Sequence, residues 1–294
     1  MSTSHTTAPL GRFGAWWFGP LPRGRIAALR TFVYGFIFLD LFVLRPWVVL
    51  HGEVPPSLYQ PLFIARFLPE PTPTPLVVSV VQVALLVGAA VALTGRLTRL
   101  SGALVFLLYL QWMLFAFSYG KVDHDRVAFL VALAVLPTAG PARWGDTSAD
   151  QSAGWAIRSI QIAVVLTYFA SVFAKVRFGG LNWVTGSTFL RAIIKRGNFL
   201  VEPLANHPAI LMLGQVALVV FELLSPLLLA PGRIGRIMLG IAVIFHLVTY
   251  SSIGIMFWPN MVCLLSFVPL ERLNPREWRA VRRTRLQARG AVVD

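Results

Sequence analysis

The sequence predicts an all-α integral membrane protein, a single bundle of about eight transmembrane helices with both termini cytoplasmic. Three observations predict it. Hydrophobic types make up 56 % of the 294 residues and charged types only 13 %, whereas a soluble domain carries roughly 25 % charged residues. Apolar runs approaching the ~20 residues needed to cross a bilayer recur along the chain. The net charge is +14, and many of the cations gather in turns between apolar runs and in the tail, as they do in cytoplasmic loops. An ordinary soluble enzyme and a disordered chain are thereby excluded. The charge excess reads as loop bias, so no nucleic-acid partner is expected.

The elements follow in order. Residues 1–25 form a cytoplasmic segment with Arg12, Arg23 and Arg25 and no small-residue cleavage site, so the first apolar run is expected to stay as a signal anchor. The membrane domain covers residues 26–270. Its first run, about 26–50, is interrupted by Asp40 and Arg45. Residues 51–74 are Pro-rich and read as an interfacial loop. The second run, about 75–94, turns through Gly95, Arg96 and Arg99 into the third, about 100–118. A polar patch, Lys121 to Arg126, precedes the fourth, about 127–138, which is too short to span alone and also reads as re-entrant. The fifth run, about 157–176, ends at Lys175. A mixed loop at 177–206 includes an amphipathic segment suited to the membrane surface. The sixth run, about 208–230, carries Glu222; the seventh, about 237–252, carries His246; the eighth is about 253–270. The tail 271–294 holds seven arginines and no lysine. With the tail and the two Gly-Arg turns inside, Lys175 and the 121–126 patch fall on the outer side. The one cysteine, Cys263, permits no disulfide framework within the chain.

Ionisable groups in apolar runs are the site candidates. Lys175 follows a long apolar stretch, where the charged form of an amine is disfavoured, and a neutral amine is a general base. Its plain alternative is to reach its ammonium to the headgroups. His246, between Phe245 and Leu247, either binds a ligand or is satisfied by a neighbouring helix. Asp123 and His124, at a span boundary, either orient Lys175 and a bound ring or belong to a solvated loop. Asp40 and Arg45, five residues apart, face different sides of a helix and are expected to pair with other helices. Glu222 reads the same way, as a structural pin. No metal-ligand spacing, P-loop, dinucleotide fingerprint or nucleophile elbow occurs.

The run Tyr168-Phe169-Ala170-Ser171-Val172-Phe173-Ala174-Lys175, followed by Trp183-Val184-x-Gly186, resembles the segment of the vitamin K-dependent gamma-carboxylase family that carries its catalytic lysine. That family includes the bacterial HTTM proteins. Leu29-Arg30 through Gly35, Asp40 and Arg45 are similar to its first helix. Asp123-His124 is similar to its Asn-His pair, and Phe245-His246 with Ile253-Gly254-x-x-Phe257 to a later pattern. The order holds over about residues 22–270.

The resemblance implies a membrane enzyme with its chemistry on the outer side of the plasma or inner membrane. Lys175 would deprotonate reduced vitamin K or menaquinone. Dioxygen would convert the quinol anion to a strong base, ending as the epoxide. That base would take a proton from an acceptor to which carbon dioxide adds. His124 would orient or stabilise the quinol. Tyr168, Trp183 and His246 would line the ring pocket. The acceptor is an unspecified protein or small molecule, and no metal is implied. Asp123 stands where the family has Asn, and an ionised carboxylate beside Lys175 would keep the amine protonated. The large extramembrane domain of the animal enzymes has no counterpart, so a short, bacterial-type member is expected. The rival readings are a non-catalytic assembly or carrier protein and a quinone-linked redox subunit.

Overall fold

The computed structural model describes residues 11–67, 70–119, 122–255 and 257–273. The expected cytoplasmic segment before residue 11, Lys121 and the Arg-rich tail from residue 274 lie outside them. Among the described residues the only sheet is a two-residue antiparallel pairing, Leu21–Pro22 with Ala149–Asp150. The rest is built on helix.

Helix α1, Arg23–Leu39, continues as a π turn, Asp40–Leu44. Helix α2, Pro75–Leu93, contains no charged side chain and starts where Pro75 loses nothing by lacking an N–H. Thr74 caps it, accepting a hydrogen bond from the Val77 amide at 3.3 Å. Helix α3 is Thr98–Phe117. Helix α4, Val127–Val135, tightens to 3-10 over Leu136–Ala139. Helix α5, Gln151–Ala174, is capped by Asp150, which accepts from the Ser152 amide at 2.7 Å. A second π turn, Lys175–Gly179, ends it, and Gly180 then takes a φ of +59° that disfavours any side chain. Helices α6 (Thr188–Arg196), α7 (Pro208–Leu223), α8 (Arg233–Ile253) and α9 (Trp258–Leu264) follow.

Five segments are long and apolar enough to cross a membrane: Arg23–Leu44, Pro75–Leu93, Thr98–Phe117, Gln151–Gly179 and Arg233–Ile253. The other three expected runs become shorter helices; prolines explain two of them and a glycine turn the third. Pro137 tightens the end of α4, and Pro226 converts the end of the sixth run to 3-10. The eighth run differs most from its expected bounds of about 253–270. Ile253 closes α8, Gly254 turns the chain at φ +64°, and helix resumes only over Trp258–Leu264 before a 3-10 turn.

The core lies between α1, α3, α4 and α5, where Tyr34, Tyr109, Trp112, Phe115, Phe129 and Ile157 are all but inaccessible. Helices α2 and α8 sit at the rim, with only 28 % and 17 % of their apolar stretches buried. Such long apolar faces are not left to water in soluble proteins; the chain is built to be membrane-embedded.

Asp40 and Arg45 pair with other elements, as expected of them. Asp40 bridges Arg126 at 2.7 Å and accepts from the Tyr109 hydroxyl at 2.8 Å, while Arg126 donates to the same hydroxyl at 2.7 Å. These three ties join α1, α3 and the 3-10 turn His124–Arg126 that leads into α4. Arg45 pairs with Asp123.

The two ends of the bundle are distinct. At one, Arg25 donates through Nε and a terminal nitrogen to both oxygens of Glu271, each at 2.8 Å. Leu21–Pro22 pairs there with the start of α5. The other end gathers Arg45, Asp123, His124 and Lys175. Burial pushes the Glu271 carboxyl up, but the Arg25 hydrogen bonds, a backbone hydrogen bond and the charges of Arg25 and Arg272 together outweigh it and hold the group below its ordinary value of 4.5. A carboxyl depressed by folding stabilises fully above 4.5 and loses that contribution as the pH falls through the lower folded value. Acid titration of unfolding is therefore expected to show a stability loss below pH 4.5 that Glu271→Gln diminishes.

Candidate active site

Helical spacing places Tyr168, Ser171 and Lys175 on one stripe of α5. Lys175 opens the π turn, as Asp40 opens the other. Such turns often re-aim a functional side chain. The Lys175 Nζ donates to both oxygens of Glu222 at 2.7 Å and to the Ser171 hydroxyl at 2.5 Å. The Trp183 indole lies 5.1 Å from the same nitrogen. The side chains of Lys175 and Glu222 are only 14 % and 4 % exposed, so each charge needs the other to offset the loss of water.

One residue before Glu222 on α7, Phe221 meets the Tyr168 ring edge-on at 5.1 Å. The Tyr168 hydroxyl lies 2.9 Å from His246 Nε2, and Asn260 Nδ2 donates to that hydroxyl at 3.2 Å. Tyr168, His246 and Asn260 are each at most 3 % exposed. If Tyr168 donates to Nε2, the proton of the neutral imidazole sits on Nδ1. That Nδ1 and the Asn260 Oδ1 are buried without a partner among the described residues. The site thus holds one spare donor and one spare acceptor beside an aromatic wall of Phe221, Phe245 and Phe257.

The sequence-predicted residues fall into three groups. Lys175 and Trp183 stand together. Tyr168 and His246 touch, and join the first group through the α5 stripe and Phe221. His124 is exposed at the rim, its ring 5.9 Å from Phe257, which in turn lies 5.5 Å from His246. Asp123 serves Arg45. The polar partners of Lys175 are Ser171 and Glu222, not Asp123 or His124, so the carboxylate beside the amine comes from α7. Glu222 read as a pin in the sequence, and Ser171 and Asn260 had no assigned role. The one available signal was charge: a single amine in one apolar run and a single carboxylate in another invite each other.

Gln215, 1 % exposed on α7, holds the neighbouring chain in place. Its oxygen accepts from the Phe189 amide at 2.7 Å, and its nitrogen donates to the carbonyls of Trp183, Val184 and Gly186. Gln215→Leu strips partners from these backbone groups, at a cost of about 1–3 kcal/mol for each one left buried. Amide exchange over residues 181–190 is expected to accelerate by about tenfold or more, the ratio that ~1.4 kcal/mol sets. Unchanged exchange there would show that the loop is held by other contacts.

Lys175 lines neither of two shallow surface grooves of about 430 Å³ each. One borders Arg30 and Thr94; the other runs between residues 185–190 and α7. The class defined by fold and geometry is a membrane-embedded helical bundle with a buried amine–carboxylate pair beside a Tyr–His–Asn cluster. No protein-family model, curated protein or solved structure matches the chain.

Proposed function

We propose that the protein is a membrane enzyme that deprotonates and oxygenates a reduced quinone, menaquinol or vitamin K quinol, with Lys175 as the base. The observation that carries this reading is the adjacency of Glu222 and Phe221. One holds the amine, and the other ties it to the buried Tyr168–His246–Asn260 cluster. A hydroquinone fits such a place chemically: its ring suits the aromatic wall, and each hydroxyl can both donate and accept. The spare Nδ1 and Oδ1 match that pair of needs.

The chain's own residues then divide the work. Moving one proton from Nζ to a Glu222 oxygen leaves Lys175 free to take the proton of a hydroxyl brought against it. Ser171 keeps the amine aimed. His246 and Asn260 hold the polar groups of the ring, and Tyr168 fixes the imidazole tautomer. Trp183, over the amine, is the side chain a ring displaces on entry. The quinol supplies all four electrons, two in passing to the quinone level and two in forming the epoxide, so that one atom of dioxygen ends in the epoxide and the other in water. Carbon dioxide addition to an unspecified acceptor is the coupled reaction that the gamma-carboxylase resemblance suggests. The basic turns support an outer-side site in a plasma or inner membrane.

The test supplies reduced menaquinone or vitamin K and dioxygen to purified protein in detergent and follows epoxide by mass spectrometry. Wild type is expected to form epoxide and Lys175→Ala to form almost none. No epoxide from folded wild type would remove the reading and leave a structural ion pair. Equal epoxide from both would remove Lys175 from its role.

A further inference from the structure

A second site is built at the same end of the bundle, and it does not depend on the quinol reading. Between residues 176 and 207 the chain carries Arg177, Arg191, Lys195 and Arg196 against one acid, Glu202. All four cations are exposed, and none pairs with a carboxylate among the described residues. They lie at the end opposite Arg25, where the loop bias that explains the basic turns does not reach. The segment sits where spans end. Asn198 Nδ2 donates to the Ser251 carbonyl at 2.6 Å near the last turn of α8, and Lys175–Gly179 finishes α5.

Helix α6 shows two faces. Ile193 is buried, and Phe189 packs beside Gly214 of α7, where an added Cβ would come within 3.2 Å of its ring. The other stripe holds Leu190, Arg191, Ile194 and Lys195. Leu190 also lines the groove of about 430 Å³ shared with Pro208, Leu211 and Met212 of α7. The groove thus opens beside the helix whose exposed stripe carries two cations one turn apart. Ile194, Phe199, Phe178 and Leu181, in the same stretch of chain, are exposed. Exposed apolar tips interleaved with cations match the boundary between headgroups and acyl chains.

We propose that this groove, continued by Arg191 and Lys195, binds one anionic phospholipid, with the headgroup phosphate on the two cations and an acyl chain along Leu190, Leu211 and Met212. Charge complementarity selects the lipid: a zwitterionic headgroup cancels the attraction with its own ammonium, whereas a net negative one keeps it.

The test uses the full-length protein in nanodiscs of phosphatidylcholine containing a minority of phosphatidylglycerol, with retained lipid counted by native mass spectrometry. Wild type is expected to retain phosphatidylglycerol several-fold above its share of the bilayer. Each basic side chain near an anionic headgroup is worth roughly a fivefold preference, so Arg191→Gln with Lys195→Gln is expected to bring retention back to the bilayer ratio. Met212→Trp, which fills the groove and keeps both cations, is expected to lose the bound lipid as well. These side chains are exposed, and the variants are expected to melt with wild type in phosphatidylcholine alone. Retention at the bilayer ratio by wild type overturns the proposal, as does undiminished retention by either variant. Displacement of the lipid by inorganic phosphate alone, or a dimer in place of bound lipid, overturns it too.

Discussion

Replacing Asp40 by alanine is expected to destabilise the folded bundle by about 3–5 kcal/mol. The carboxylate is wholly buried and bridges Arg126, whose side chain is 4 % exposed, at 2.7 Å. Without it the guanidinium stays buried, with Asp125 at 4.0 Å its remaining carboxylate neighbour in an ion pair. The Tyr109 hydroxyl also loses its acceptor. Most of the loss is the penalty of the stranded charge, not the value of the bond. Asp40→Leu combined with Arg126→Met is therefore expected to recover much of it, since residues of one network do not add. Unfolding in detergent micelles, followed by circular dichroism on both single variants and the double, checks this. A loss below about 1 kcal/mol for Asp40→Ala would mean that water reaches Arg126 and that the network is not a pin.

The second large effect concerns the candidate active site. If the proposed quinol chemistry holds, Lys175→Met is expected to lower quinol turnover by a factor of about 10²–10⁴, the range removed with a positioned general base. It also strands the Glu222 carboxylate, 4 % exposed, so a loss of activity alone does not separate chemistry from stability. Lys175→Met with Glu222→Gln removes both charges. The double variant is expected to regain most of the stability lost by the single one, and none of the turnover. Glu222→Gln alone removes the carboxylate that holds Nζ and, on the proposed chemistry, is expected to slow epoxide formation. If the double variant recovered turnover with stability, the pair would serve only to pin α5 to α7.

Much of the architecture was legible because bilayer length and apolarity are local properties. The long runs without charge could only be helix, since unpaired backbone in lipid costs too much for any alternative but a closed barrel. That Tyr168, Trp183 and His246 would gather near Lys175 was implied only by the resemblance; the structure sets the Trp183 ring 5.1 Å from the Lys175 amine and the Tyr168 hydroxyl 2.9 Å from His246. Less legible were the breaks. Pro226 and Gly254 sit inside stretches that look continuous by hydropathy. The π turns at Asp40 and Lys175 carry no sequence mark at all.

The sequence by itself determined that the chain is helical, greasy and basic at its turns, and which few ionisable side chains would be costly enough to need partners. It determined no pairing. Asp123 stood next to His124 in the chain and looked like the carboxylate for Lys175, yet it went to Arg45, and Glu222 from a distant run took the amine. Only the tertiary structure decided this. Hydropathy is written along the chain, whereas a salt bridge forms between whichever opposite charges the packing of helix faces brings within reach at the same depth.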